Sequence, residues 1–344
     1  MRKAVTKRSW FTKGIFLGLI ALVFAMPQWA AAQTSFRGIV VFGTSLSDPG
    51  NAFALVGGTN TPPNYSVNTL LVPDQPYARG GHHFSNGATW IEQFARPLGL
   101  AGSVRPAFRG SAGATNFAVG GARAADTTSP FGLYGQVNAF LGRLGDGNAA
   151  PSDALYVIEV GGNDVRDALD AYGRARLLDL KTHEEALAIA GAVITAALTS
   201  IGNNVGILYA RGARKFLVAN APDVGLTPAA QASGAAAVAL ATALSAGFNN
   251  GLDNPYVENS VLPALRKLPN IQITTLDVFS KLHEIVANAA AFGLTNWTAA
   301  CIAPTTPPFE CNNPDEYLFW DGIHPTAAVH GIVAQHVAGQ LQSP

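Results

Sequence analysis

The chain has 344 residues, 22 of them basic and 22 acidic, and only 13% are charged, against about 25% in an ordinary soluble protein. Zero net charge and the lack of basic runs beyond the N-terminus argue against nucleic acid as a partner. No histidine stands near either of the two cysteines at ligand spacing, so neither a metal nor a cofactor is expected.

The N-terminus comes first. Arg2, Lys3, Lys7, Arg8 and Lys13 form a basic start, Gly14–Ala25 is an uncharged apolar run, and Ala30-Ala31-Ala32 precedes Gln33. This pattern predicts a secretory signal over 1–32, and the remaining 33–344 as one exported domain, secreted or periplasmic. The apolar run is too short for a membrane span, which needs about 20 residues. Cleavage after Ala32 would leave 312 residues with 17 basic and 22 acidic side chains.

Five apolar runs then predict buried parallel strands: Gly38–Phe42, Thr115–Val119, Ala154–Val160, Lys215–Ala219 and Ile271–Leu276. Between them, helices are predicted over Ala88–Leu100, Glu184–Tyr209, Pro228–Phe248, Pro255–Leu268, Val278–Ala291 and Thr326–Leu341, from apolar spacing near 3.6 residues and from Pro228 at a first turn. Strands alternating with helices make a three-layer α/β/α sandwich around a central parallel sheet. Ligands in such sheets bind beyond the carboxyl ends of the strands. Ser45, Gly120-Gly121, Gly161-Gly162-Asn163 and Asn220-Ala221-Pro222-Asp223 all follow strand candidates, so the site is expected on that edge. Residues 50–84, with Pro62, Pro63, Pro73 and Pro76, read as a lid or binding loop.

A serine on a glycine-flanked turn after a strand is placed to be a nucleophile, and it needs a base and an orienting carboxylate. Asp321-Gly322-Ile323-His324-Pro325 supplies both near the far end of the chain. Taken singly, Ser45 would be a turn serine, His324 a helix-start histidine and Asp321 an N-cap; the three roles together make a triad.

Four blocks carry a family resemblance: Gly43-Thr44-Ser45-Leu46-Ser47-Asp48 with Gly50-Asn51, Asn116 to Ala122, Gly161-Gly162-Asn163-Asp164, and Asp321 to Pro325. Phe84-Ser85-Asn86-Gly87 and Asn220 to Pro228 extend it. The chain resembles an SGNH hydrolase, the group also called GDSL esterases and lipases, with similarity to secreted bacterial lipases and phospholipases. Thr44 stands where the family name has Asp. The resemblance implies a flavodoxin-like fold and a serine esterase or lipase acting through an acyl-enzyme. Ser45 would be nucleophile, His324 base and Asp321 its orienting acid, with an oxyanion hole from the N–H groups of Ser45 and Gly121 and the Asn163 amide. The substrate would be a small-molecule or lipid ester, with transient contact to lipid surfaces. Acyl transfer and glycan deacetylation by the same serine stay open at this point.

Asp48 and Asp164 are expected to brace their turns, and Glu159, an acid within an apolar run, to be a buried paired group with no assigned role. His82-His83 read as a solvated pair; His183, His283, His330 and His336 as surface or core residues. Export makes a Cys301–Cys311 disulfide the default, closing a proline-rich loop worth roughly 3 kcal/mol in the chain-entropy view. An α/β-hydrolase is disfavoured because Ser47 occupies the second glycine position of G-x-S-x-G, and a nucleotide binder because no G-x-G-x-x-G follows a strand. A non-enzymatic binding protein would be expected to have lost one of these site residues.

Overall fold

Runs rich in Val, Ile, Leu and Phe that are buried on both faces form strands only where helices cover both sides of the sheet. The structure, a computed structural model, describes Met1 and residues 36–342; the expected export signal at 1–32 lies outside the described residues apart from Met1. Strands β1 (Gly38–Gly43), β2 (Ala154–Glu159), β3 (Lys215–Ala219) and β4 (Gln272–Leu276) pair in that order, all parallel. Val41 lies opposite Val157, and Leu217 opposite Thr274.

Side chains alternate between two cores, as the two-residue period of a strand requires. Phe42, Tyr156, Ile158, Phe216 and Val218 face one layer of helices, and Ile39, Val41, Leu155, Val157 and Leu217 face the other. The first layer holds α3 (Leu133–Leu144), α4 (Gly162–Leu177), α5 (His183–Ala210) and α7 (Ala235–Leu252). The second holds α2 (Trp90–Ala95) and α10 (Ala327–Gln342). Short helices α1 (Asn51–Leu55), α6 (Pro228–Ala232) and α8 (Val261–Leu265) lie in connections, and α9 (Val278–Ala287) follows β4. Strands β5 (Asn296–Ala300) and β6 (Tyr317–Phe319) form a separate small parallel sheet just ahead of Asp321. The α/β/α sandwich is therefore as the sequence implies.

Residues 115–119 run alongside β1 but do not form a regular strand. Val41 N–H donates to Thr115 O (2.9 Å), Phe117 N–H to Val41 O (2.8 Å) and Val119 N–H to Gly43 O (3.1 Å). Amide side chains interrupt this ladder. Gly43 N–H donates to Gln136 Oε1 (2.8 Å) and Ala118 N–H to Asn116 Oδ1 (2.9 Å). With this segment included, the spatial order is second, first, third, fourth and fifth in chain order, the doubly wound arrangement whose crevice opens between β1 and β2.

Several expected boundaries move. The helix expected over Pro228–Phe248 breaks at Gly234, whose φ of 92° no helix accepts, leaving α6 and α7. Of Pro255–Leu268 only Val261–Leu265 is helical, held by buried Leu262. Helix α9 ends at Ala287 and a 3-10 turn, Ala289–Phe292, follows it. Helices α3 and α4 were not anticipated. The α4 sequence, GNDVRDALDAYGRARL, is mostly polar, so it offers little apolar periodicity to detect.

Candidate active site

Burial places Ser45 at the carboxyl end of β1 with 8% of its surface exposed, and it leaves Asp321 and His324 almost fully enclosed. His324 Nε2 lies 2.9 Å from Ser45 Oγ, and its Nδ1 lies 2.6 Å from Asp321 Oδ2. The turn between the two residues closes on the same carboxylate, because Asp321 Oδ1 accepts the N–H groups of Ile323 (2.8 Å) and His324 (2.7 Å). Oδ2 also accepts the hydroxyl of buried Tyr77 (2.8 Å). The carboxylate is thus locked by four donors, and the imidazole beside it can hold only one orientation.

The serine turn is fixed from below. Glu159, the last residue of β2, accepts the Thr44 N–H (3.2 Å), the Thr44 hydroxyl (3.0 and 3.1 Å) and the Ser47 hydroxyl (2.9 Å). Ser47 Oγ in turn accepts the Trp90 indole N–H at 3.0 Å. Burial pushes the Glu159 carboxyl up to about 7 against the pull of those donors. Asp48 accepts the N–H groups of Gly50 (2.8 Å), Asn51 (2.5 Å) and Ala52 (3.0 Å), and that of Gly120 at 2.9 Å. It therefore ties the serine turn to the glycine turn, and burial raises it to about 6 although those amides favour its charged form.

The glycine turn faces α4. Gly121 sits at φ 78°, a conformation that a side chain strongly disfavours. At Gly120 an added Cβ would fall 2.1 Å from the Phe84 ring. Asp164 accepts the N–H groups of Ala124 (3.0 Å) and Ala125 (2.9 Å), and Asn163 Nδ2 donates to Ala122 O at 2.9 Å. Asn163 thus belongs to the first turn of α4 rather than to a simple strand-end turn, and one N–H of its amide remains available. Among the described residues, the N–H groups of Ser45 and Gly121 find no acceptor. Ser45, Asn163 and His324 line one pocket together with Leu46, Pro222 and Ile323.

The chain matches the family model described as GDSL-like Lipase/Acylhydrolase over residues 39–337. It belongs to that family. The GDSL hydrolase is accordingly a carboxylic ester hydrolase acting on small-molecule esters. Its similar relatives include three proteins of Arabidopsis thaliana. GDSL esterase/lipase At1g28580 is 28% identical, covering 94% of this chain and 90% of the relative. GDSL esterase/lipase At1g73610 is 26% identical over 92% of each. GDSL esterase/lipase At4g26790 is 26% identical over 94% and 95%. These are plant proteins, whereas the sequence suggested bacterial lipases.

Other expectations sort out by contact in the GDSL hydrolase. Residues 50–84 carry Tyr65 and Tyr77 into an edge-to-face cluster with Trp320, the ring centroids 5.6–5.7 Å apart. Tyr65 and Tyr77 therefore pack against the segment that carries Asp321, while residues 56–59 and 68–70 stay exposed. The block around Asn86 steadies the other side of the loop: Ser85 Oγ donates to Pro325 O (2.8 Å), and Asn86 Oδ1 accepts Ala327 N–H (2.7 Å) at the start of α10. The expected solvated histidine pair is not one. His83 is buried with its Nε2 2.8 Å from Glu92 Oε2, and His82 stacks on Phe53. Burial works against charge on His83, yet the Glu92 carboxylate outweighs it and holds the imidazole above its usual range. Cys301 and Cys311 stand with Cα atoms 4.9 Å apart and sulfurs at bonding distance. Sequence reasoning missed Tyr77 and Gln136 altogether. Neither lies in a recognisable motif, and only tertiary contact shows their part.

Proposed function

We propose that this chain is an exported serine esterase or lipase that cleaves lipid or short-chain acyl esters through an acyl-enzyme. In this reading 1–32 is the export signal and 33–344 the hydrolase domain. Ser45 Oγ attacks the ester carbonyl while His324 takes its proton at Nε2. Asp321 holds the ring in the tautomer that leaves Nε2 free to accept, and it stabilises the imidazolium that forms. The N–H groups of Ser45 and Gly121 and the free amide hydrogen of Asn163 donate to the tetrahedral oxyanion. His324 then returns the proton to the departing alcohol, and water repeats the sequence to release the acid.

The observation that carries this reading is the pair of contacts on one imidazole, 2.9 Å to Ser45 Oγ and 2.6 Å to Asp321 Oδ2. Support for the oxyanion role is the lack of acceptors for the Ser45 and Gly121 N–H groups. The test is Ser45→Ala, assayed on p-nitrophenyl esters and phosphatidylcholine with circular dichroism as a check on folding. Turnover is expected to fall on the order of a millionfold. A folded variant keeping more than a few per cent of parent activity would remove Ser45 from the role of nucleophile.

A further inference from the structure

The cavity that Ser45, Asn163 and His324 share has a permanently cationic wall that ester cleavage leaves unused, Arg166. Helix α4 puts it there: Asn163 and Arg166 stand three residues apart near its start, so their side chains share a face. A charge taken partly out of water is normally paired. Arg166 is not. Among the described residues it forms no ion pair, and its hydrogen-bond contact is a long one, from Nη1 to Asn163 Oδ1 at 3.5 Å. The acids near it are engaged elsewhere. Asp167 is held by Arg123 at 2.5 and 2.9 Å, and Asp164 by the N–H groups of Ala124 and Ala125. Glu159 binds Thr44 and Ser47, and Asp321 serves Tyr77 and the His324 turn. Asp170, one turn further along α4, is exposed and stands beyond ion-pair distance. Burial pulls the guanidinium below its usual range against the attraction of Asp170, yet an arginine stays charged at neutral pH. With five N–H donors and no acceptor of its own, it is short of oxygen partners inside the cavity.

We propose that Arg166 is a specificity residue of this site and that the ester it selects carries an anionic group, a phosphate or a carboxylate, close to the scissile bond. The planar fork of a guanidinium meets two oxygens of such a group at once. The inference rests on Ser45 being the nucleophile, and it narrows the substrate to acyl esters of a phosphorylated alcohol or esters of a dicarboxylic acid. Both offer Arg166 the same chemistry; they differ in the side of the ester on which the anion sits.

Two matched pairs of esters separate those sources. On the alcohol side, octanoyl glycerol phosphate is compared with octanoyl glycerol; on the acyl side, mono-p-nitrophenyl adipate with p-nitrophenyl hexanoate. In at least one pair the parent should prefer the anionic ester in kcat/KM. Arg166→Met should then lower that anionic-to-neutral ratio by about tenfold or more, the loss of a charge-assisted hydrogen bond. Arg166→Lys keeps the charge without the fork, so its ratio should fall between the two. A ratio unmoved in both pairs overturns the proposal, including the case where both esters slow alike, the mark of an arginine that only positions Asn163. Should Arg166→Met not fold, the ratio in Arg166→Lys decides. In a Ser45→Ala background, calorimetry with the anionic ester of the favoured pair should show binding that Arg166→Met weakens by a similar factor, and binding indifferent to Arg166 also overturns the proposal. If Ser45→Ala still hydrolysed esters, the nucleophile would be reassigned, and the Arg166 ratios would still decide the anion site.

Discussion

Thr44 gives both its backbone N–H and its hydroxyl to Glu159, at 3.2 Å and at 3.0–3.1 Å. The residue just before Ser45 is thus anchored to the last residue of the neighbouring strand, across the crevice where the sheet changes direction. An Asp at position 44, as in the family name, would set a second carboxylate against Glu159. Threonine instead supplies a donor, so the exchange and the buried glutamate explain each other.

Because burial raises Glu159 from 4.5 to about 7, the folded protein holds a proton there that the unfolded chain releases. Stability contributed by that proton is present below about 4.5 and is lost as pH rises through about 7. Glu159→Gln cannot titrate, so its unfolding free energy should fall by about 3 kcal/mol less than the parent's across this window. Urea unfolding of both proteins at pH 5 and pH 8 measures the difference. Parallel pH dependences would show that Glu159 titrates normally.

Tyr77→Phe removes one donor from Asp321 while keeping the ring within the Tyr65–Trp320 cluster. A hydrogen bond to a charged group is worth about 1.5–3 kcal/mol, so kcat should fall by roughly 10- to 100-fold as the carboxylate gains freedom. KM should stay near the parent value. A change confined to KM would place Tyr77 with the substrate instead.

Asn163→Ala should lower kcat by about 10²–10³ with little change in KM, the cost of one oxyanion donor. The variant also loses the contact from Asn163 Nδ2 to Ala122 O. Asn163→Asp is the control, since it keeps the size of the side chain without the N–H. Full turnover in the Asp variant would mean that the amide does not donate in the reaction.

Cys301 N–H donates to Phe319 O and Ile302 N–H to Trp320 O, both at 3.0 Å, so the cysteine segment pairs with the strand that delivers Asp321. Reduction should let this segment loosen, and activity should disappear at temperatures where far-ultraviolet circular dichroism still reports an intact sheet. Mass spectrometry of unreduced protein should find no alkylatable thiol. Two free thiols, or activity and sheet melting together, would count against the bridge as a support of the site.

The sheet and the blocks that hold the candidate site were legible because both depend on local sequence. Runs such as Ala154–Val160 are short, apolar and rich in β-branched and aromatic residues, which favours buried strands, and Ser45, Asn163, Asp321 and His324 sit in short blocks that can be read as motifs. What escaped depends on long-range contact. Helix α4 is polar enough to hide its periodicity. The irregular course of 115–119 arises because Asn116 and Gln136 compete with the ladder, which no single stretch of sequence reveals. His83 is a more local case: its partner, Glu92, stands only nine residues on, but the sequence does not show that the turn into α2 brings the two together. Glu159 carried a usable signal, a lone charge in an apolar strand, but its partners Thr44 and Ser47 lie more than a hundred residues away.

The amides of Asn51, Asn116 and Gln136 stitch the edge of the sheet to the serine turn. Asn51 Nδ2 reaches Asn116 O and Ala118 O, both at 2.8 Å, Asn116 Nδ2 reaches Ser47 O at 2.9 Å, and Gln136 Nε2 reaches Gly43 O at 2.9 Å. None of these groups ionises near neutrality. A change of charge on Asp48 or Glu159 therefore leaves these stitches in place, and the backbone around Ser45 keeps amide contacts that no gain or loss of a proton near neutrality can remove.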